Sequence, residues 1–416
     1  MNILILSFFY TTLNCAQICI MLYKENGIAT VILQYTIPTT NFKKMRQTIS
    51  LLLLIIPLVL TAQIQGTFTI DGTRLLDANG NEFVMRGVNY SWCWQKGKET
   101  TVIPAAKRIG CNTIRIQLGT GKRFSKPGVR DLKKLITLCE ENKLVAVFNT
   151  HDATGSDNYS DLEDAVQFWI SMKDLLNEHT ATTIVNIANE WFGSMNKSAQ
   201  WADGYKKAIA MLRAAGLRNT LMIDAAGWGQ WPKSIWEKAD EVASADPLGN
   251  IIFSVHMYDV AAKDAETVRR NIDNSLATGY PIVIGEFAYQ HGGRYVDWQT
   301  VLDYTAEKSV GYLVWSWTGN SGGVEDCDMF GGYDESIVKP NGQHTVYGRN
   351  GIQETAAECS VYNSASIREI VSGTLTIDFS APYEIYNICG RKVADTGCPG
   401  IYIIRQNGTS YKYIRR

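Results

Sequence analysis

The chain has 416 residues, 45% of them hydrophobic, enough for one large core and a smaller appended module, which excludes disorder over most of its length. Forty Lys and Arg balance 41 Asp and Glu, so composition gives no electrostatic case for nucleic acid or an anionic membrane surface, and the expected partner is neutral. Eleven Trp and 20 Tyr supply rings that can stack on flat ligand faces, although core packing uses the same residues.

Two apolar stretches come first. Residues 1–23 carry no charge and have the length of a membrane span or an early leader. The second stretch fits an export signal better: Arg46 gives a short basic start, Ile49 to Leu60 an apolar core, and Thr61-Ala62-Gln63 a small-residue exit. This reading predicts translation from Met45, with residues 1–44 an upstream extension, 45–63 a signal peptide, and the mature protein secreted or held at the cell surface. Export would leave Cys93, Cys111, Cys139, Cys327, Cys359, Cys389 and Cys398, an odd number, most of them expected to be unpaired apolar residues. No C-x-x-C or Cys/His cluster suggests a metal site, and no cofactor is expected.

After the signal, Phe68-Thr69-Ile70, an Asp71-Gly72 turn, Leu75-Leu76 and an Asn79-Gly80 turn predict a small hairpin plugging one end of the domain that begins at Phe83. From Phe83 to about Trp317, β-rich runs alternate with amphipathic stretches. Strands are expected at 83–88, 113–118, 144–148, 183–187, 221–224, 251–255, 282–285 and 312–315. Between them, Ala165, Phe168, Trp169, Met172 and Leu175 recur at helical spacing. Eight βα units without a Gly-rich phosphate turn predict a (β/α)8 TIM barrel over residues 66–358 rather than a doubly wound sheet. From about residue 360, alternating runs such as Thr374 to Phe379 and Ile401 to Arg405 predict a small all-β module over 364–416.

In such a barrel the chemistry lies at the C-terminal ends of the strands. Glu190 follows the fourth run and Glu286 the seventh, each just past a buried strand, where an unpaired carboxylate would be expensive. Two facing carboxyls are what glycosidic cleavage requires, one to protonate the leaving oxygen and one to attack or stabilise the oxocarbenium-like carbon. The structural alternative is a salt bridge across the barrel mouth, with Arg115 satisfying either acid. His151 and His256 have the alternative of being core histidines, and Trp92, Trp94, Trp191, Trp228 and Trp231 could equally pack or stack on sugar.

The segment from Asn186 to Trp191 (Asn-Ile-Ala-Asn-Glu-Trp) and that from Ile284 to Phe287 (Ile-Gly-Glu-Phe), with Arg115, His151 to Gly155, His256-Met257-Tyr258 and Trp315-Ser316-Trp317, resemble glycoside hydrolase family 5. Arg86 to Asn89, His151 to Gly155 and Asp224 to Gln230 are similar in particular to its bacterial endo-1,4-β-mannanases. The resemblance implies that Glu190 is acid/base and Glu286 nucleophile. It further implies that Asn189 binds a sugar 2-hydroxyl, that Arg115 and Tyr258 hydrogen-bond Glu286, that His151 and His256 orient the site, and that Trp315 floors the cleavage subsite. Trp191 and Trp228 are expected at substrate. Tyr90, Asn149-Thr150 and the segment from Phe287 to His291 depart from the mannanase pattern and bear on the outer subsites.

The implied activity is retaining endo-hydrolysis of β-1,4-mannan, glucomannan or galactomannan. An endo-β-1,4-glucanase on the same barrel is the enzymatic alternative, and a polysaccharide-binding barrel without catalysis is the third; the presence of both acids with Arg115 and Asn189 argues against the last. The expected partner is a β-linked polysaccharide, with the chain acting as a monomer. The tail from Ser364 resembles the C-terminal sorting domains of type IX secretion, which implies contact with secretion machinery; a carbohydrate-binding module is its rival.

Overall fold

The computed structural model describes residues 66–336, 339, 356–362, 383–387, 392–393, 400–406 and 409–415, together with the backbone of three antiparallel strands, Ile3–Thr12, Cys15–Tyr23 and Leu33–Pro38. The signal peptide read over 45–63 and the strand expected at 374–379 lie outside the described residues.

Eight parallel strands close into a barrel in chain order: β1 (Arg86–Tyr90), β2 (Thr113–Leu118), β3 (Val145–Thr150), β4 (Thr183–Asn186), β5 (Thr220–Asp224), β6 (Ile251–Met257), β7 (Ile282–Phe287) and β8 (Gly311–Val314). Seven helices follow the first seven strands among the described residues: α1 (Glu99–Arg108), α2 (Val129–Glu141), α3 (Tyr159–Asn177), α4 (Ser198–Ala214), α5 (Lys233–Ala243), α6 (Ala265–Leu276) and α7 (Trp298–Glu307). Every barrel-strand residue is buried, because helices cover the outside and side chains fill the inside; this is why the strands read as continuous apolar runs rather than alternating ones. The helices show the complementary pattern. In α2, Leu132, Leu135, Ile136 and Cys139 face inward at spacings of three and four, while the polar residues between them face solvent.

The strand edges differ from the expected ones in an informative way. The first strand starts at Arg86 rather than 83, because the Phe83 N–H pairs back with the Leu75 carbonyl at 2.8 Å as part of the plug. That plug is the expected hairpin, Thr69–Asp71 with Arg74–Leu76, turning at Gly72 with φ +59°. Phe68 packs on Phe83, and the Asn250 amide just before β6 donates to the Phe68 carbonyl, which places the plug at the N-terminal ends of the strands. At the other end, β3, β6 and β7 run on through Asn149, His256 and Glu286, past the limits set by apolar content. Backbone pairing continues there because the polar side chains find partners inside the barrel mouth.

Cys93, Cys111, Cys139 and Cys327 are buried free thiols, and Cys359 is buried as well. Residues Glu358–Arg416 form a separate compact unit, in which strands Glu384–Asn387, Lys392–Val393, Gly400–Gln406 and Thr409–Arg415 make an antiparallel sheet.

Candidate active site

Glu286 stands on β7 near its C-terminal end, and both carboxylate oxygens are held. Arg115, projecting from β2 and fully buried, donates from Nη1 to Glu286 Oε1 at 2.7 Å. The Tyr258 hydroxyl donates to Oε2 at 2.7 Å. A buried guanidinium is costly unless its N–H groups are paired. Those of Arg115 are spread over Asn89 Oδ1 (2.9 Å), Asn186 Oδ1 (2.7 Å) and Asn189 Oδ1 (2.6 Å) besides Glu286. The asparagines of β1 and β4 and the one just beyond β4 thus fix the cation that fixes the carboxylate. Burial and the neighbouring Glu286 push the Tyr258 phenol well up, so it serves as a permanent donor.

Glu190 lies past β4 with φ +46°, a left-handed conformation unusual for a residue with a Cβ. Its N–H donates to Asp224 Oδ2 at 2.9 Å, and its carbonyl accepts from the Gly155 N–H at 3.0 Å, so the turn is held from both sides. Glu190 Oε1 pairs with His256 Nδ1 at 2.8 Å. Burial raises the Glu190 carboxyl to about 7; the His256 contact opposes this and the charge of Glu286 adds to it. For His256 burial works against the charged ring, but Glu286 at 3.5 Å and Asp224 at 3.6 Å outweigh it and, with Glu190, raise it to about 10. Burial favours the neutral form of Asp224 too, yet His256 and Arg115 hold that carboxyl well below the usual range. His151 goes the other way: burial, then Arg115, lower it to about 3, leaving a neutral ring.

One carboxylate oxygen of Glu190 and one of Glu286 lie within 4.8 Å of each other, and His256 Nδ1 is near both, 2.8 Å from Glu190 Oε1 and 3.5 Å from Glu286 Oε2. Inverting hydrolysis needs roughly 6.5–9.5 Å to admit a water, whereas a retaining pair sits about 5–5.5 Å apart. One acid that keeps its proton to near neutrality, facing a carboxylate gripped at both oxygens, can protonate a leaving oxygen while the other attacks carbon.

Both acids open into a cleft of about 610 Å³ lined also by Trp94, Arg123, Phe124, His151, Thr154, Trp228, Gln230, Tyr258, His291, Trp315 and Asn320. His151 stacks on Trp315 with ring centroids 5.7 Å apart and 7° between planes, and Trp94 and Phe124 meet His151 edge-on. Trp228, 48% exposed with φ +59°, lies against Gly155, where an added Cβ would meet the indole at 2.2 Å. Glycine there lets the ring approach. His291 stacks on Tyr258 at 4.4 Å.

Of the residues expected at substrate, His151, Tyr258, Trp228 and Trp315 line the cleft with the two acids. Trp191 does not. Its ring is 2% exposed, packed edge-on against Tyr205 and Phe192, and its N–H donates to the Asn158 carbonyl; it is a core residue beneath α4, because the left-handed turn at Glu190 sends consecutive side chains in different directions. Arg115, His256 and Asn189 are fully buried behind the cleft wall and do not line it. Asn189 donates its amide to Thr154 Oγ1 at 2.9 Å, so Thr154 is the group of that pair on the wall. Sequence reasoning missed Phe124, Arg123 and Asn320, which reach the cleft from loops of no periodicity, and held Gln230 only as the end of the segment from Asp224. A signal existed for the first of them: Asp152, in the singled-out segment from His151 to Gly155, accepts the backbone N–H groups of Thr120, Lys122, Arg123 and Phe124, and so folds that loop over the site.

The sequence profile described as Cellulase (glycosyl hydrolase family 5) matches residues 76–321, a span containing all eight strands and both acids. The chain belongs to glycosyl hydrolase family 5. This family 5 hydrolase is 47% identical over 295 residues to a mannan endo-1,4-beta-mannosidase of Salipaludibacillus agaradhaerens, covering 71% of the chain and 96% of that protein. It is 38% identical over 301 residues to a mannan endo-1,4-beta-mannosidase of Streptomyces lividans, covering 71% and 78%. The crystal structure of a beta-mannanase from Streptomyces thermolilacinus with mannohexaose superposes with a TM-score of 0.67 at 36% identity, covering 72% of this chain and all of that one.

Proposed function

We propose that this family 5 hydrolase is a retaining endo-β-1,4-mannanase in which Glu286 is the nucleophile and Glu190 the acid/base. The observation that carries the reading is the carboxylate pair within 4.8 Å, one member gripped by Arg115 and Tyr258 and the other protonated to about 7. Glu286 attacks the anomeric carbon of a β-mannosyl unit while Glu190 gives its proton to the departing glycosidic oxygen, leaving an α-linked glycosyl ester on Glu286. Ester formation removes the negative charge of Glu286, one of the causes that raise Glu190. Glu190 then readily stays ionised and takes a proton from the water that hydrolyses the ester, releasing a β-anomeric product. Trp315 and Trp228 give sugar faces something to stack on, and an open cleft suits cleavage inside a chain.

Mannose differs from glucose by an axial 2-hydroxyl, so preference rests on polar groups near that hydroxyl and on the outer subsites. The similarity to mannan endo-1,4-beta-mannosidases supports mannan. Reducing-sugar release from glucomannan or galactomannan is expected to exceed that from carboxymethylcellulose and mixed-linkage glucan by ~10-fold or more. Faster release from the cellulosic substrates would reassign the activity to endoglucanase.

The basic start at Arg46 and the apolar run after it support export, and the tail from Ser364 supports delivery by type IX secretion. Deleting residues 364–416 is expected to leave the barrel active but keep it in the periplasm. Export unchanged, with binding to insoluble mannan lost, would make the tail a binding module instead.

A further inference from the structure

Double displacement at this site leaves one buried carboxylate without a task. Asp224, the last residue of β5, is fully buried and does not line the cleft. Its Oδ1 accepts from the Asn186 amide at 3.1 Å and its Oδ2 from the Glu190 N–H at 2.9 Å. The same Oδ2 lies 3.5 Å from Arg115 Nη2 and 3.6 Å from His256 Nε2. Trp201 of α4 donates its indole N–H to the Asp224 carbonyl at 3.0 Å, which anchors the residue from outside the barrel.

The groups around Asp224 form one buried set. Arg115 faces it from β2, Glu190 from beyond β4, His256 from β6, and Glu286 from β7 across His256. His151, past β3, is neutral, and the phenols of Tyr205 on α4 and Tyr258 past β6 keep their protons. Buried charge costs least when cations and anions balance. Arg115 and His256 are the cations, and Asp224 and Glu286 are the anions, which leaves Glu190 as the neutral member. Without Asp224 the two cations would face one anion, and ionised Glu190 would become the group that restores the balance.

We propose that Asp224 is a positioning residue for the acid/base: it pins the backbone of Glu190 in its left-handed turn and, as counterion to Arg115 and His256, keeps Glu190 neutral and ready to donate. The inference rests on the reading of Glu190 as acid/base. Asparagine in its place keeps the shape but not the role. Its amide oxygen can accept from either the Glu190 N–H or the Asn186 amide, and its NH2 then confronts the other donor.

With Asp224→Asn, the alkaline limb of kcat/KM on mannan is expected to move from about 7, where Glu190 loses its proton, to lower pH by ~1 unit. At pH 7 kcat is expected to fall ~10–100-fold with KM little changed, since a proton donor rather than a sugar contact is disturbed. Formation of the glycosyl-enzyme from an aryl mannoside whose phenol leaves unprotonated is expected to stay within ~3-fold of the parent. A limb that stays in place or moves up, or equal losses on both substrates, would reduce Asp224 to a structural role and overturn the proposal. Should the variant not fold, the 15N resonances of His256 in the parent protein decide: an imidazolium at pH 7 is required, and a neutral ring defeats the charge balance. Azide rescue of Glu190→Ala separates this inference from the reading beneath it. No rescue removes Glu190 from the acid/base role, whereas rescue with an unmoved Asp224→Asn profile removes Asp224 alone.

Discussion

Alanine at position 286 is expected to lower kcat on mannan by ~10⁵-fold, because under the proposed roles the covalent step has no route but Glu286. The carboxylate that Arg115 and Tyr258 hold is then gone, and no neighbouring acid can take over: Glu190 is tied to His256, and Asp224 sits behind the wall. A 2-fluoro-mannoside inactivator should label the parent at Glu286, seen by mass spectrometry of the digested protein, and should leave Glu286→Ala unlabelled. Arg115 keeps Asn89, Asn186 and Asn189 as partners in the variant, so circular dichroism should still report a folded barrel. Labelling at another residue, or an α-anomer as first product of the parent, would reject Glu286 as nucleophile.

Loss of Glu190 should look different. Glu190→Ala is expected to cost ~10³-fold on mannan, whose leaving group is a sugar hydroxyl that must be protonated. On an aryl mannoside with an acidic phenol, the glycosyl-enzyme should still form rapidly and then stall, giving a burst followed by a slow steady state. Added azide should relieve the stall, because it attacks the ester without a general base, and the product should be the β-mannosyl azide. An equal loss on both substrates, or azide without effect, would mean that Glu190 supports the site rather than transferring protons.

The positions of all eight strands were legible because parallel strands buried on both faces read as short β-branched runs, and the helices between them as threefold and fourfold apolar spacing. Glu190 and Glu286 were legible for the complementary reason: a carboxylate at the end of such a run is expensive without a purpose. Where strands end was less legible. Asn149, His256 and Glu286 belong to the ladder of hydrogen bonds although their side chains break the apolar pattern, and nothing local announces that partners wait across the barrel mouth.

The sequence by itself thus determined the barrel and the placement of Glu190 and Glu286 at the ends of its fourth and seventh strands, since burial periodicity and the cost of an isolated charge are local properties. Tertiary structure alone decided what each acid is worth. By position alone Arg115 could have served either carboxyl, and only the family resemblance assigned it to Glu286; strand order and side-chain length bring it there at 2.7 Å and leave Glu190 to His256. Likewise Trp191 and Trp228 are equivalent as letters, but the turn at Glu190 buries the first under α4, while Gly155 leaves room for the second at the cleft. Coulomb energies depend on separations between strands far apart in sequence, and those separations exist only once the barrel has closed.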